Sequence, residues 1–193
     1  MNKRVKDLWY ICSANFLNFF MGIVSGFLVP KFLGIDDYAY VKVFTFYLAY
    51  VGISHLGIID GIYIKYGSYE YNDLPREKIR GYAKVLLALQ IVEAIVFSII
   101  ILFLVKNENR ILIFLFTFLN MIIINMTTLW TYIHQITKRF RIFSINTILS
   151  KLLYVIGLII LILCGVFGYK TYMILQTLIN LIILGIYIYY NKL

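Results

Sequence analysis

Charge is what this chain lacks most. Only 14% of its 193 residues are Asp, Glu, Lys or Arg, against about 25% in an average soluble domain. With 62% hydrophobic residues and a mean hydropathy of +0.87, too few polar side chains remain to coat a soluble core of this size. A soluble globular fold is excluded on that ground. Proline is nearly absent, and the two that occur, Pro30 and Pro75, fall between apolar runs. Of the two cysteines, Cys12 lies near the inner end of the first run and Cys164 near the outer end of the fifth. They stand on opposite sides of a bilayer, so no disulfide is expected. No CxxC and no His/Cys cluster points to a metal, and no cofactor is expected.

Acids are the scarcer charge, 9 against 18 lysines and arginines, for a net charge of +9. Such an excess on one polar domain would point to nucleic acid. Here the basic residues stand at the ends of apolar runs, where membrane proteins place them, so a nucleic-acid partner is not expected.

What is present is length without polarity. A helix needs about 20 apolar residues to cross a hydrocarbon core of roughly 30 Å. Six segments meet that length: 8–29, 39–62, 81–105, 111–133, 145–167 and 171–190. The expected fold is all-α, a polytopic bundle of six transmembrane helices forming a single lobe over 1–193. The first run is too long for the apolar region of a secretory signal, and no small-x-small cleavage site follows it, so it is read as retained.

Orientation follows from the basic residues. With the N-terminus inside, the inner group is Lys3, Arg4, Lys6, Lys65, Arg76, Lys78, Arg80, Lys84, Lys138, Arg139, Arg141, Lys151 and Lys192, thirteen of the 18. The outer group is the remaining five, Lys31, Lys42, Lys106, Arg110 and Lys170. That asymmetry favours both termini inside.

Polar residues within hydrocarbon usually face a bundle interior or a water-filled path. Projected at about 100° per residue, Asn15, Asn18, Gly22 and Ser25 share a stripe on the first span. On the second, Lys42, Thr45, Ala49, Gly52 and Asp60 share a face with His55 at its edge. Gln90 and Glu93 are i, i+3 neighbours on the third. Asn120, Thr127, Thr131 and His134 align on the fourth, and Asn146, Ser150, Gly157 and Cys164 on the fifth, with Lys151 beside them. Gln176 and Asn180 pair at i, i+4 on the sixth, with Tyr187 below. Small residues and amides also pack helices together, so a stripe alone assigns no function. Glu93 is the sharper signal, a carboxylate near mid-span that needs a partner, a proton or water. Lys42 and Lys151 are placed within a few residues of the interfaces, where a lysine can snorkel. The substrate-path candidates are therefore Lys42, Glu93, Lys151, Asn18, Asn120 and Asn146. Asp60 and Lys65 are read as an interfacial charge pair, and several tyrosines as membrane-belt residues.

Two connections carry the remaining polarity. "VPKFLGIDDYAYVK" (29–42) is expected to interrupt the apolar pattern for about a dozen residues as an outward-facing turn. Pro30 and Gly34 would allow that turn, Asp36 and Asp37 solvate it, and Lys31 and Lys42 bracket it. In the 65–80 connection, Asn72 and Asp73 before Pro75 read as a helix cap and first-turn proline. A short basic helix through "REKIRGYAK" would then lie on the inner lipid surface ahead of the third span.

The run Pro30-Lys31-Phe32-Leu33-Gly34-x-x-x-Tyr38, followed by "SHLGIIDGIYIKYGSYEYNDL" with Leu56-Gly57-Ile58, Asp60-Gly61 and Lys65-Tyr66-Gly67, resembles the N-terminal region of bacterial lipid-linked oligosaccharide flippases. These are polysaccharide-biosynthesis membrane proteins in the superfamily that includes the multidrug and toxin extruders. The motif match covers about residues 22–75, with Lys31 where arginine is common and Ala39 where glycine is frequent. The turn residues it marks are Pro30, Lys31, Gly34, Tyr38, Gly57, Asp60 and Gly61. Family members usually have 12 or more spans built from two lobes, and this chain looks like the first lobe alone.

The resemblance implies a location in the bacterial cytoplasmic membrane and a substrate, undecaprenyl-diphosphate-linked oligosaccharide, moved from inner to outer leaflet. It implies a second lobe or a second copy as partner, because two lobes enclose an alternating-access path. Lys42 and Lys151 are then candidates for meeting diphosphate or acidic sugar, and Glu93 for coupling to a proton or cation. Two other classes were weighed. A membrane enzyme needs clustered acids, histidines or arginines near an interface, and Asp36, Asp37, Glu108, Glu70, Asp73 and Glu77 read as loop charges, so no enzyme is expected. A non-transporting assembly protein, including an inactive remnant of a transporter, is the alternative.

Overall fold

The computed structural model describes residues 3–191, and the described residues form seven α-helices and no strand. The Lys192 of the inner basic group lies outside them, as do the side chains of Lys3, Arg4 and Lys6. Helix α1 is Lys3–Phe32 and α2 is Ile35–Tyr50. A 3-10 turn, Val51–His55, separates α2 from α3, Ile58–Tyr66. Then come α4 (Arg76–Leu104), α5 (Glu108–Ile136), α6 (Phe140–Leu163) and α7 (Tyr169–Tyr190). Helices α1, α4, α5, α6 and α7 are each long and apolar enough to cross a membrane. Helices α2 and α3, with the turn between them, reach that length together but are bent by 58°. This is a multi-pass helical membrane protein.

Helix α5 is the centre of the bundle. It packs on α2, α3, α4, α6 and α7, and 39% of its most apolar window is buried, against 6% in α1. Helix α1 lies at the periphery against α6. Two apolar cores stack along α5. One joins α3, α4, α5 and α7 through Ile59, Ile79, Leu86, Leu129, Ile133 and Ile183. The other joins α1, α2, α5, α6 and α7 through Val29, Phe44, Ile113, Leu158 and Met173. The outward faces are equally apolar, with Phe27, Ile64 and Phe103 exposed, as lipid contact requires.

The turn expected across 29–42 contracts to two residues. Only Leu33 and Gly34 leave the helix. Pro30 stands inside the last turn of α1, and the chain continues past it with Leu33 N–H donating to Val29 O at 3.2 Å. Asp36 and Asp37 fall in the first turn of α2, where negative charge suits the helix dipole. Asp37 does more than stay solvated. Its Oδ2 accepts from Tyr169 N–H at 3.2 Å, tying the start of α7 to the start of α2. Such a cap is worth about 1 kcal/mol.

The 65–80 connection also differs. Tyr71–Asp73 form a 3-10 turn, the residue capping α4 is Pro75 with no side-chain cap, and the basic segment from Arg76 is the continuous start of α4 rather than a separate surface helix. No glycine or proline stands between Arg80 and Leu104 except Gly81, so nothing interrupts the helical hydrogen bonds there.

The largest departure is the span read as 39–62. Leu56 and Gly57 are both left-handed, with φ of 48° and 76°. Gly57 takes this conformation freely, whereas a leucine held there costs roughly 1 kcal/mol or more. The common face drawn through Lys42, Gly52 and Asp60 does not exist, because the helix does not continue from one to the others.

Candidate functional site

Three groups of polar side chains are buried in this apolar bundle, and each has a local cause. The first repairs the break. Leaving α-helical geometry costs the carbonyls of Val51 and Ser54 their usual donors, an expensive omission away from water that the Ser54 hydroxyl partly repairs by donating to Val51 O at 2.8 Å. Asn125 of α5 donates to Val51 O at 3.0 Å and Gln90 of α4 donates to Ser54 O at 2.9 Å. Asn125 Nδ2 also lies 2.8 Å from Ser54 Oγ and 2.7 Å from Gln90 Oε1. Gln90 Nε2 reaches Glu93 Oε2 at 3.1 Å. Gln90 and Asn125 are both fully buried.

The second group links α5 to α7. Asn120 Nδ2 donates to Thr177 Oγ1 at 2.7 Å, Asn180 Nδ2 donates to Asn120 Oδ1 at 2.8 Å, and Gln176 Nε2 donates to Asn180 Oδ1 at 3.3 Å. Below this chain a cavity of about 220 Å³ opens between α5, α6 and α7. Apart from Ile124 and Ile183, every lining residue carries a hydroxyl or an amide: Thr127, Thr128, Thr131, Asn146, Thr147, Ser150, Asn180 and Tyr187. The Thr and Ser hydroxyls spend their protons within their own helices. Thr127 donates to Ile123 O, Thr128 to Ile124 O and Thr131 to Thr127 O, at 2.7, 2.9 and 2.8 Å. Thr147 donates to Phe143 O at 3.0 Å and Ser150 to Thr147 O at 2.9 Å. These side chains therefore offer the cavity lone pairs. Asn146 is the exception. It is 1% exposed and neither amide atom has a partner, so it brings both donor and acceptor capacity.

The third group closes one end of the bundle. His134 lies between the rings of Tyr71 and Tyr187, its Nε2 lies 3.1 Å from Asn191 Nδ2, and the Arg139 guanidinium stacks 3.9 Å from the Tyr71 ring centroid. This pins the 65–75 connection to the ends of α5 and α7 through aromatic and amide contacts.

The expected substrate-path residues are not gathered in one place. Asn146 lines the cavity, and Asn120 holds Asn180, which also lines it. Glu93 instead borders an aromatic groove of about 450 Å³ between α2, α4 and α5, with Tyr47, Tyr50, Phe97, Phe114 and Phe118. Lys42 lines a separate recess of about 230 Å³ with Ser25, Thr45, Tyr154 and Tyr172, its Nζ 5.1 Å from the Tyr38 ring. Lys151 is half-buried near the middle of α6 and has no partner among the described residues. Asn18 is half-buried on α1 and away from the cavity.

Among the turn residues, Pro30, Lys31 and Gly34 are exposed at the α1–α2 junction, with Lys31 Nζ 5.6 Å from the Phe32 ring, and Tyr38 is half-buried. Gly57 O accepts from Gly61 N–H at 2.9 Å, starting α3. The expected Asp60–Lys65 pair is absent. Asp60 lies 3.8 Å from His55 Nε2, while Lys65 Nζ donates to Tyr82 Oη at 3.1 Å. Gly157, on the expected stripe of α6, is a packing residue, because a Cβ there would collide with Leu175 of α7.

Sequence reasoning missed Asn125, Ser54, Thr128 and Thr147. An amide in the middle of a long apolar helix was the available signal for Asn125. Nothing in the sequence marked Ser54 as the point where a helix opens. Among the described residues, no group of acidic, histidine and cysteine side chains is arranged to hold a metal. The chain matches no protein-family model, no curated protein and no solved structure.

Proposed function

We propose that the chain is one lobe of a flippase-type transporter that moves undecaprenyl-diphosphate-linked oligosaccharide across the cytoplasmic membrane of a bacterium. In this reading the bent α2–α3 pair counts as one crossing, giving six, with both termini inside. The observation that carries a transport role is the hydroxyl- and amide-walled cavity with its unpartnered Asn146. A wall of uncharged acceptors suits a ligand that is itself rich in hydroxyl donors, as a sugar is. The broken helix supports the same reading, since discontinuous spans are where many transporters bind and move. The choice of lipid-linked oligosaccharide rests on the resemblance of residues 22–75. A second lobe, or a second copy, supplies the remaining walls of an alternating-access path. Lys151 is the cation nearest the cavity wall in sequence, beside Ser150, and takes the diphosphate; Glu93 takes the coupling proton or cation.

Expressed with its flanking genes in a bacterium lacking its own flippase, the chain is expected to restore surface polysaccharide. A strain that stays bare while the protein is present in the membrane sinks the substrate assignment. Orientation has its own test. A periplasm-dependent reporter fused after Asp36 is expected to be active and one fused after Arg139 silent; the reverse pattern inverts the topology.

A further inference from the structure

A second cavity, of about 450 Å³, lies between the first turns of α4, the last third of α5 and the end of α7. Its wall differs in kind from the threonine-lined one. Arg80 and Lys84 stand at i and i+4 on α4, so they share one face. Trp130 lines the groove from α5, and Ile188, Tyr189 and Asn191 from α7. Among the described residues no carboxylate borders it.

The charged groups here, Arg80 and Lys84, are both donors. Among the described residues neither Arg80 nor Lys84 has an ion pair or hydrogen bond. Trp130 is 7% exposed, and its indole N–H is buried with no acceptor. A buried indole N–H normally finds a partner. Asn191 adds nothing free, because its Nδ2 donates to Tyr187 O at 2.7 Å and its Oδ1 accepts from Tyr71 Oη at 3.4 Å. Two cations with no acceptor among the described residues, beside the face of a tryptophan, call for an anionic ligand with several acceptor oxygens, and a phosphodiester has both properties.

The surroundings decide what carries that phosphate. The same two helices lead away from the groove with exposed apolar residues, Val85 and Ile91 on α4 and Ile182 and Ile188 on α7. Tryptophan and tyrosine beside arginine and lysine are the composition of a headgroup-level belt. We propose that the groove formed by Arg80, Lys84 and Trp130 at the end of α7 is a binding site for the phosphate headgroup of an anionic phospholipid, whose acyl chains lie along α4 and α7. This site does not depend on the transport reading. A chain that moves nothing would still hold the lipid.

Trp130 supplies the probe, because the only other tryptophan is Trp9. The Trp9→Phe protein is placed in phosphatidylcholine vesicles containing either brominated phosphatidylglycerol or brominated phosphatidylcholine. Quenching against mole fraction gives the relative binding constant at Trp130. The anionic lipid is expected to be favoured by about thirtyfold, on the usual contribution of about 1 kcal/mol from each of two basic residues near a charged headgroup. Arg80→Gln with Lys84→Gln brings the ratio close to one, while Arg80→Lys with Lys84→Arg preserves it. Millimolar inorganic phosphate leaves it unchanged. Equal quenching by the two lipids overturns the proposal, as does a preference that survives the double glutamine change. Displacement by inorganic phosphate replaces the lipid with a soluble anion. Should the glutamine pair fail to insert, native mass spectrometry of Trp130→Phe decides. Fewer retained phosphatidylglycerol adducts support the site, and an unchanged number overturns it.

Discussion

In Asn125→Leu, the unfolding free energy measured by titrating the purified chain from mild detergent into SDS is expected to fall by about 2–4 kcal/mol. The reason is the number of acceptors that lose their donor together. The two amide hydrogens of Asn125 serve Val51 O, Ser54 Oγ and Gln90 Oε1, all within 2.7–3.0 Å. A single hydrogen bond between membrane helices averages only about 0.6 kcal/mol, which alone would make the effect small. The larger figure follows because the single Ser54 hydroxyl proton, with Oγ 2.8 Å from Val51 O and 3.1 Å from Gln90 Oε1, can serve only one of these acceptors once Asn125 is gone, so leucine leaves the other without a donor. Gln90→Leu strands Ser54 O in the same way. Because the two amides also touch each other, the double change is expected to cost less than the sum of the singles. A loss below about 0.5 kcal/mol for Asn125→Leu, or strict additivity with Gln90→Leu, would mean the break is held by apolar packing instead.

Asn146→Leu is expected to act in the opposite direction on stability and severely on function. The amide is 1% exposed with neither atom paired to protein, an arrangement that costs about 1–3 kcal/mol relative to an apolar side chain of similar size. Leucine removes that cost, so the SDS midpoint rises. Complementation is lost, because the cavity keeps its acceptors and loses its one amide with free donor and acceptor sites. Stability gained where activity is lost is the pattern of a residue retained for a ligand. A destabilised Asn146→Leu protein would instead make Asn146 part of the packing, and a stable, active one would remove the cavity from the transport path.

The helices were legible in the sequence because apolar length is a strong signal, and α4 to α7 lie where the runs at 81–105, 111–133, 145–167 and 171–190 put them, give or take a turn or so. The Gln90–Glu93 and Gln176–Asn180 neighbours were legible too, since i, i+3 and i, i+4 spacing survives any straight helix. What failed was everything that required knowing where a helix stops. Hydropathy runs unbroken through residues 51–58, so it cannot register two left-handed residues. The leucine before Gly57 hides the break further, because leucine is a good helix former. Conversely, Pro30 and the Asp36–Asp37 pair exaggerated the first turn. Proline in a last turn forgoes a single bond, and two acids in a first turn suit the helix dipole without requiring a loop.

The repaired break also constrains how the chain is made. Ser54 leaves the ribosome 36 residues before Gln90 and 71 before Asn125. At roughly 5–20 residues per second, the opened backbone waits about 4–14 s for its last donor. Neither the Ile35–His55 run nor the 9-residue α3 qualifies alone as a crossing helix in that interval. Stable insertion of this segment is therefore expected to be completed only when α5 emerges and Asn125 reaches the break.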